Sequence, residues 1–464
     1  MNYDTIKEEL LSEADTGLKY AKSLDSSAEV ELFVVYENTA ESDISEGIVT
    51  AQDGARAGNS ARVAKDNRVG FASSSGISAE RIKRSIKEAY DIIANVKVDD
   101  KRFKSLPDPK PPGVEADFDK AILEIEIDSL IDDCNEMITE AKSVDERITF
   151  ANASASTTWG GYAVANTHGI LNATRYGNSA CSINVQAKQN EERRNGLEFD
   201  VASHRTYKKE GLAAKASENA LGLLNAVKYE VTEKMTTIWT PMSAATYFLA
   251  SIGQSVIGEP IVEGVSPLCD MIGDVIGPKG LNVVDDGQAK QGLGTRSVDG
   301  EGLPQHRTPI IDNGVLRNFL FDSYFGAAFG VESTGNSERS GGLFGGNAPY
   351  ENSPSVSTKY LQVSPGAKPL DDLIASIDGK AIMIYDFPIG IFHGSVSTGE
   401  FSAVAASAFL VDNGERVGPI EPVSVAGSFY EGLKNLRSIG SDVRVFPYGI
   451  ATPSLVIDGL SVTG

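Results

Sequence analysis

The sequence predicts an α+β fold with an N-terminal α+β domain, a middle α/β segment and a C-terminal β-rich domain. The chain has 464 residues, which exceeds one ordinary hydrophobic core and favours two or three domains. Helix-periodic segments alternate with strand-like runs, and the 46 glycines indicate the many turns of a β-rich body. We place the domains at residues 1–105, 106–232 and 233–464.

The first domain mixes helices and strands. Asp4–Leu24 carries one apolar stripe and is predicted to be a helix that Asp4 caps. Ala28–Tyr36 (AEVELFVVY) predicts a buried strand, and Gly47–Ser75 contains two further strand-like runs. Ser78–Val96 repeats the helical spacing of apolar residues. Together these elements predict an α+β unit of about a hundred residues.

Four prolines between residues 107 and 112 introduce the middle segment. Such a stretch is stiff and exposed, and we interpret it as a connector. Helical spacing returns in Asp128–Ala141 and Gly211–Ala226, while Arg147–Asp200 alternates apolar and polar residues between Gly and Asn turns. The middle segment is therefore predicted to contain two helices that flank a group of strands.

The third domain opens with the clearest helical pattern in the chain, Thr240–Pro260. Thr240 is a good N-cap, and Pro241 suits the first helical position. Gly258 and Pro260 are predicted to end this helix, so the helix spans residues 240–258.

The rest of the chain is predicted to be mainly strands and glycine-rich loops. Within Leu281–Gly464, one helix is predicted at Leu370–Ile377 and another at Phe429–Ile439. The sequence contains no tandem repeat and no low-complexity tract.

Composition excludes several classes of function. The net charge of −22 repels a phosphate backbone and argues against nucleic-acid binding. Cys134, Cys181 and Cys269 are far apart, so neither a disulfide framework nor a zinc finger is predicted; the patterns around the first two predict core residues. The polar N-terminus and the lack of a long apolar run predict a soluble, cytoplasmic protein without a membrane span.

No local motif identifies a catalytic site. The four histidines are separated, so HExxH, HExxxH and paired Cys/His spacings are absent, as are GxSxG, the phosphate loop and the dinucleotide fingerprint. His168, His204 and His306 are predicted to be surface residues. His393 lies between two strand-like runs, and its surroundings alone suggest a cleft.

Motifs along the C-terminal half resemble the TldD/PmbA family, also called the modulator of DNA gyrase family. Their order and spacing support the resemblance more than any one of them does. The matching stretches are VVDDG (283–287), DGEGLPQHRTPIIDNGVLRNFLFD (299–322), STGNSERSGG (333–342), GSVSTGEFSAVAASAFLVDNGE (394–415) and PSLVIDGLSVTG (453–464).

The resemblance also shows what this chain lacks. In the active TldD-type subunit, a helix carries HExxxH and a cysteine near the C-terminus completes the zinc site. Here Leu249 and Ala250 stand at the His-Glu positions and Gln254 at the second histidine. Hydrocarbon side chains offer no lone pair, and an amide is a poor zinc ligand. The expected cysteine is also missing, because the chain runs from SDVRVFPYG into TPSLVIDG without one. The resemblance therefore implies a PmbA/TldE-type subunit with no catalytic residue and no metal of its own.

Such a subunit is expected to pair with a TldD-type metalloprotease that supplies the zinc, in a complex that processes unfolded peptides. An extended peptide can be held by adding to a sheet edge. The glycine-rich loops then offer five peptide-contact residues, namely Asn336, Arg339, His393, Thr398 and Glu400. The competing interpretation is that Asn336 and Thr398 only complete turns and that Arg339 pairs with Glu400.

The sequence is also compatible with two other functions. The chain could be a homodimeric peptide-binding or scaffold protein that acts without a protease partner. It could also be an independent hydrolase that uses His393 with Ser395 or Glu400, although no base–nucleophile spacing supports this.

Overall fold

The computed structural model describes residues 1–95, 98–230, 232–340 and 347–464. Its mixture of helices and several sheets confirms the predicted α+β class. Nine α-helices occur in these ranges: α1 (Ile6–Leu24), α2 (Ala79–Asn95), α3 (Ile127–Val144), α4 (Leu212–Gly222), α5 (Pro241–Phe248), α6 (Gly258–Val262), α7 (Ser323–Phe329), α8 (Leu370–Ala375) and α9 (Phe429–Lys434). A π-helical turn occupies Leu249–Gly253, and 3₁₀ turns occupy Lys120–Glu124, Pro349–Glu351 and Ile391–His393.

The strands fall into two groups along the chain. Those before residue 203 are β1 (Glu29–Ser45), β2 (Ile48–Lys65), β3 (Arg68–Ser75), β4 (Ile148–Asn166), β5 (Leu171–Gln189) and β6 (Glu192–Ala202). Those after it are β7 (Thr232–Trp239), β8 (Val283–Asp286), β9 (Arg307–Asp312), β10 (Val315–Leu316), β11 (Ser337–Glu338), β12 (Ser355–Val356), β13 (Leu361–Val363), β14 (Lys380–Ile384), β15 (Glu400–Ala405), β16 (Ala408–Asp412), β17 (Glu415–Ile420), β18 (Val423–Ser428), β19 (Leu436–Ile439), β20 (Arg444–Phe446), β21 (Ile450–Thr452) and β22 (Leu455–Thr463).

The first six strands form one antiparallel sheet in the order β3-β2-β1-β4-β5-β6, which we call the N-terminal sheet. Residues of one parity along these strands face α1 and α2 at one end and α3 and α4 at the other. Because β1 pairs with β4, strands from both sides of the predicted boundary after residue 105 share this sheet. The division into residues 1–105 and 106–232 stays a prediction.

The opposite face of the N-terminal sheet packs on the C-terminal part of the chain. Phe33, Tyr162 and Val164 contact a layer that includes Val298 and Tyr350. The hydroxyl of Tyr162 donates a 2.6 Å hydrogen bond to the carbonyl oxygen of Val298. The sheet therefore has two buried faces, one against helices and one against the C-terminal loops.

Two larger sheets and one large core form the C-terminal part. One sheet has the order β15-β18-β22-β7-β14-β16-β17, with β19 also paired to β22, and the other has the order β10-β9-β8-β13-β21-β20. Helix α5 lies in the core that these sheets share, where Trp239, Tyr247 and Phe248 are fully buried. The apolar stripe that predicts this helix is thus a core-facing stripe.

Most predicted elements are confirmed, with small shifts at their ends. The predicted cap is wrong, because Thr5 precedes the first helix and the Asp4 carboxylate accepts hydrogen bonds from Lys120 at 2.7 and 2.8 Å. The predicted helix Phe429–Ile439 is also wrong in its second half, which forms β19 against β22. Val96, the predicted end of the second helix, lies outside the described residues.

The helix predicted for Thr240–Pro260 is interrupted. It begins at Pro241 as expected, widens into the π turn and stops before Val256. Gly258 begins the separate helix α6 instead of ending the first one. The chain turns here because Gly258 packs under Phe325, where a Cβ would lie 2.5 Å from the Phe325 Cβ.

Cys134 and Cys181 are buried in the core under α3 and α4, as predicted. Burial raises the pKa of the Cys134 thiol to about 11 and that of Cys181 to about 12. Neither thiol is therefore a reactive nucleophile at neutral pH. None of the helices in the described ranges has the length and apolarity that crossing a membrane requires.

Candidate functional site

A cavity of about 670 Å³ opens between the N-terminal sheet, the π turn and the loops of the C-terminal part. Its volume is typical of ligand-binding cavities. We call it the main cavity. Its described lining residues are Asn178, Ala180, Val201, Leu249, Gly253, Gln254, Ile257, Leu293, Gly294, Glu338, Ser340, Ser355, Val356, Ser357, Thr358, Lys359, Pro447, Tyr448 and Gly449.

The π turn forms one wall of this cavity. In an α-helix, residues three or four apart share a face, whereas the wider π turn brings residues five apart onto adjacent turns. Leu249 and Gln254 are five apart, and both line the main cavity, while Ala250 is buried away from it. The hydroxyl of Ser251 supports the turn by donating a 2.6 Å hydrogen bond to the Tyr247 carbonyl oxygen.

The residues at this wall do not fit a zinc ion. Leu249 presents hydrocarbon and Gln254 an amide, at the spacing where the resemblance places two histidines. The turn Pro447–Gly449, in the stretch where a cysteine-bearing loop is expected, also lines the cavity and supplies no thiolate. Across the described part of the chain, no three His, Cys, Asp or Glu residues are grouped to hold a metal ion. The donor set therefore argues against metal chemistry at this wall.

The segment Ser355–Lys359 forms the facing wall and is mainly polar. Lys359 is buried, and its ammonium donates hydrogen bonds to the Ser337 carbonyl oxygen at 2.6 Å and to the Glu338 carboxylate at 2.8 Å. Glu338 is the one carboxylate among the described lining residues. Because its charge is paired with Lys359, and it also accepts the Arg339 backbone N–H at 3.1 Å, it is not free to act as a base.

Glycines let the loops approach closely at this wall. A Cβ on Gly294 would lie 2.0 Å from the carbonyl oxygen of Lys359. Gly449 adopts a φ of +70°, and its carbonyl oxygen accepts the Leu361 N–H at 2.8 Å. The shape of the cavity therefore depends on glycine at these positions.

Two of the predicted contact residues are buried beside the main cavity rather than exposed in it. The Asn336 amide donates to the Asp285 carboxylate at 2.6 Å and to the Ser357 carbonyl oxygen at 3.0 Å. Arg339 donates to Glu31 and to the Gly300 carbonyl oxygen, and its guanidinium lies 4.9 Å from the Phe33 ring centroid. The alternative pair of Arg339 with Glu400 is wrong, because Glu31 is the partner of Arg339. Their contacts support structural roles, and peptide contact by either stays a prediction.

The other three predicted contact residues lie in the segment from the 3₁₀ turn Ile391–His393 to the first residue of β15. His393, Thr398 and Glu400 are exposed and do not line the main cavity. Among the described residues, no hydrogen bond joins His393 to Ser395 or Glu400, and the Ser395 hydroxyl instead lies 3.0 Å from that of Ser397. The geometry thus gives no support to a hydrolase based on His393, and the peptide-contact roles of these residues stay predictions.

No sequence pattern predicts that Lys359, Glu338 and the Ser355–Thr358 segment line a cavity. Lys359 and Ser355–Thr358 belong to short strands and turns outside the family stretches, and Glu338 lies within STGNSERSGG, whose pattern does not mark it as a cavity residue. They meet the π turn only because β11 pairs with β12 and the loop around Gly294 packs against Lys359. Leu249 and Gln254 were found, through their positions in the family motif.

Comparisons with known proteins agree with this architecture. The profile of the PmbA/TldA metallopeptidase C-terminal domain matches residues 232–464, and that of the central domain matches residues 120–224. The metalloprotease TldD homologue of Buchnera aphidicola subsp. Acyrthosiphon pisum is 25% identical over 432 residues, which cover 88% of this chain and 86% of that protein. The metalloprotease PmbA of Escherichia coli O157:H7 is 25% identical over 393 residues, which cover 82% of this chain and 79% of that protein.

Among solved structures, TldE from Thermococcus kodakarensis superposes with a TM-score of 0.86 at 22% sequence identity. The superposition covers 97% of this chain and 100% of that chain, so the two share one fold over nearly their whole length. Because the C-terminal profile alone spans half of the sequence and the central profile adds the middle, the chain belongs to the PmbA/TldD family of metallopeptidases and their homologues.

Proposed function

We propose that this chain is a non-catalytic subunit that pairs with a zinc-dependent TldD-type subunit and holds unfolded peptide for it. The main support is that the π turn presents Leu249 and Gln254 to the main cavity. Relatives of this chain are named metalloproteases. A hydrocarbon offers no lone pair and an amide is a poor zinc ligand, so these two side chains cannot hold the zinc ion that would activate water. Hydrolysis is therefore assigned to the partner, which carries the zinc.

The main cavity supports the peptide-holding half of the proposal. It combines apolar side chains such as Leu249, Val201 and Ile257 with the polar segment Ser355–Lys359. Apolar walls with a few placed polar groups are typical of sites for small or extended ligands. An extended peptide could satisfy its backbone along such a segment, which would select for unfolded chains over particular sequences. We place this activity in the cytoplasm.

The proposal is tested by comparing the isolated chain with a reconstituted pair. The chain is purified alone and together with an HExxxH-bearing family member from the same host, and zinc content and cleavage of an unstructured fluorogenic peptide are measured. We expect no stoichiometric zinc and no cleavage by the chain alone, and co-purification with a partner that cleaves. Zinc-dependent cleavage by the isolated chain would contradict the proposal.

A stable homodimer that binds peptide and recruits no second chain would instead favour the scaffold function. A matched control replaces the HExxxH glutamate of the partner with glutamine. Since that variant keeps its fold and its metal ligands, loss of cleavage together with retained pairing would assign the chemistry to the partner.

A further inference from the structure

A second, smaller cavity of about 270 Å³ adjoins the main cavity. Val201 and Leu293 line both, so the two cavities are direct neighbours. We call the smaller one the donor pocket. It lies between the end of β6 on the N-terminal sheet and β20 on the C-terminal part.

Arg444 dominates the polar side of the donor pocket. Its guanidinium lies 4.5 Å from the Phe199 ring centroid and 5.7 Å from that of Phe446. Nη2 is fixed by the Glu198 carboxylate at 2.6 Å and the Phe199 carbonyl oxygen at 3.3 Å. Nε and Nη1 have no partner among the described residues and are not among the buried unpaired atoms, so they reach solvent. The guanidinium of Arg444 is therefore fixed at Nη2, while Nε and Nη1 remain available as donors.

Further groups with free hydrogen-bonding capacity line the same pocket. The Tyr360 hydroxyl and the Gln291 amide have no hydrogen-bond partner within the described ranges. His204 also lines the pocket, and its Nδ1 atom is buried without a partner. Four side chains on different elements thus bring unused hydrogen-bonding groups to one small space.

Asp200 is the one carboxylate among the described residues that line the donor pocket, and its charge is already paired. Both oxygens of Asp200 accept hydrogen bonds from Arg205, at 2.6 and 2.8 Å, and one also accepts the Lys208 N–H at 2.8 Å. Burial alone would raise the pKa of Asp200, but these hydrogen bonds outweigh burial and lower it. Asp200 therefore stays ionised and fixed, and Arg444 supplies the open donors.

We infer that the donor pocket binds a carboxylate, and that this carboxylate is the C-terminus of a peptide lying in the main cavity. A carboxylate accepts several hydrogen bonds and matches a guanidinium that has unused N–H groups. The chain has a net charge of −22, but the carboxylates of Asp200 and Glu198 beside this pocket are paired with arginines, so an anionic group meets little unpaired negative charge there. The inference rests on the proposed function, because it assigns one end of the held peptide.

The test uses three octapeptides of Ala, Leu, Ser and Thr that carry fluorescein at the N-terminus. The first has a free C-terminal carboxylate, the second a C-terminal amide, and the third an amide together with one internal glutamate. Binding to the full chain is measured by fluorescence anisotropy. We expect amidation to weaken binding by about 10- to 100-fold, which corresponds to the loss of a hydrogen-bonded charged group.

Variants locate the effect. Arg444→Gln should bind the acid and the amide with equal affinity, while Arg416→Gln, which alters an arginine lying 5.0 Å from the Phe409 ring centroid and outside the donor pocket, should keep the difference. If Arg444→Gln does not fold, Tyr360→Phe removes one donor and little volume, and should reduce the preference for the free acid about 3- to 10-fold.

Equal affinity of acid and amide for the unaltered chain would overturn the inference and leave the proposed function intact. If the amide with an internal glutamate binds as tightly as the free acid, the pocket accepts side-chain carboxylates and the assignment to the C-terminus is overturned. Absence of binding by every peptide would overturn both the inference and the peptide-holding function.

Discussion

Replacing Arg62 with methionine removes a buried guanidinium that ties the N-terminal sheet to the C-terminal part. Nη2 of Arg62 donates to Glu31 on the neighbouring strand and to Glu301 in the C-terminal loops, each at 2.7 Å. Arg339 pairs with the other oxygen of Glu31, so the two arginines and two glutamates are balanced. All four side chains are buried.

The expected loss of stability follows from the burial of these four side chains. Methionine keeps most of the volume but leaves the four-residue cluster with one uncompensated negative charge. Breaking a buried ion pair from one side costs about 3–5 kcal/mol, because the remaining charge stays desolvated. We expect Arg62→Met to lower the free energy of unfolding by this amount, which is a large share of the stability of a folded domain.

Urea unfolding followed by tryptophan fluorescence measures the effect, because Trp159 lies in the N-terminal sheet and Trp239 in the C-terminal core. The matched control is Arg84→Met, whose ion pair with Glu88 also has an N–O distance of 2.7 Å but is exposed on α2. We expect the control to unfold at the unaltered urea concentration, since exposed pairs contribute little. Equal effects of the two substitutions would refute the reasoning from burial.

Three further predictions concern the π turn, the buried carboxylates and the cavity glycines. The double variant Leu249→His with Gln254→His should bind Co²⁺ weakly, because both positions line the main cavity. Binding should appear as a visible absorption band that neither single variant shows. Burial raises the pKa of Asp299 to about 8 and that of Asp322 to about 7, so both acids stay protonated in the fold above pH 4 while the unfolded chain releases their protons. Stability should therefore fall as pH rises from about 4 towards 7, because only the unfolded chain releases these protons in that range, and urea unfolding of Asp322→Asn should show a smaller fall. Gly294→Ala should destabilise the fold by about 1–3 kcal/mol, because the new Cβ would meet the Lys359 carbonyl oxygen. The loss is measured as a lower urea midpoint. The control Gly222→Ala places its Cβ in open space and should not lower the midpoint.

Local pattern predicted elements well where one face of an element meets one core. The apolar stripes of α1, α2 and α3 face the N-terminal sheet, and the sequence shows this directly. The prediction failed at Phe429–Ile439, where the second half of the segment pairs with β22. Helical spacing is insufficient there, because pairing with a distant strand decides the conformation.

Some residues of the candidate site could likewise be predicted from the sequence, and others could not. Leu249 and Gln254 could be located from the sequence because a family motif gives their spacing. His204, Tyr360 and Arg444 could not, because they come from separate strands and loops and meet only in the folded chain. Asn336 and Arg339 occupy recognisable motifs, but their burial became visible only from their partners, Asp285 and Glu31.

The sequence by itself determined the α+β class, the family and the absence of zinc ligands at positions 249, 250 and 254, because residue chemistry and local spacing are properties of the chain order. Only the tertiary structure decided that the π turn directs Leu249 and Gln254 into one cavity, and that Arg444 opens into the pocket beside it. These features depend on contacts between residues that are far apart in sequence, and such contacts form only when the sheets pack and exclude water from the groups between them.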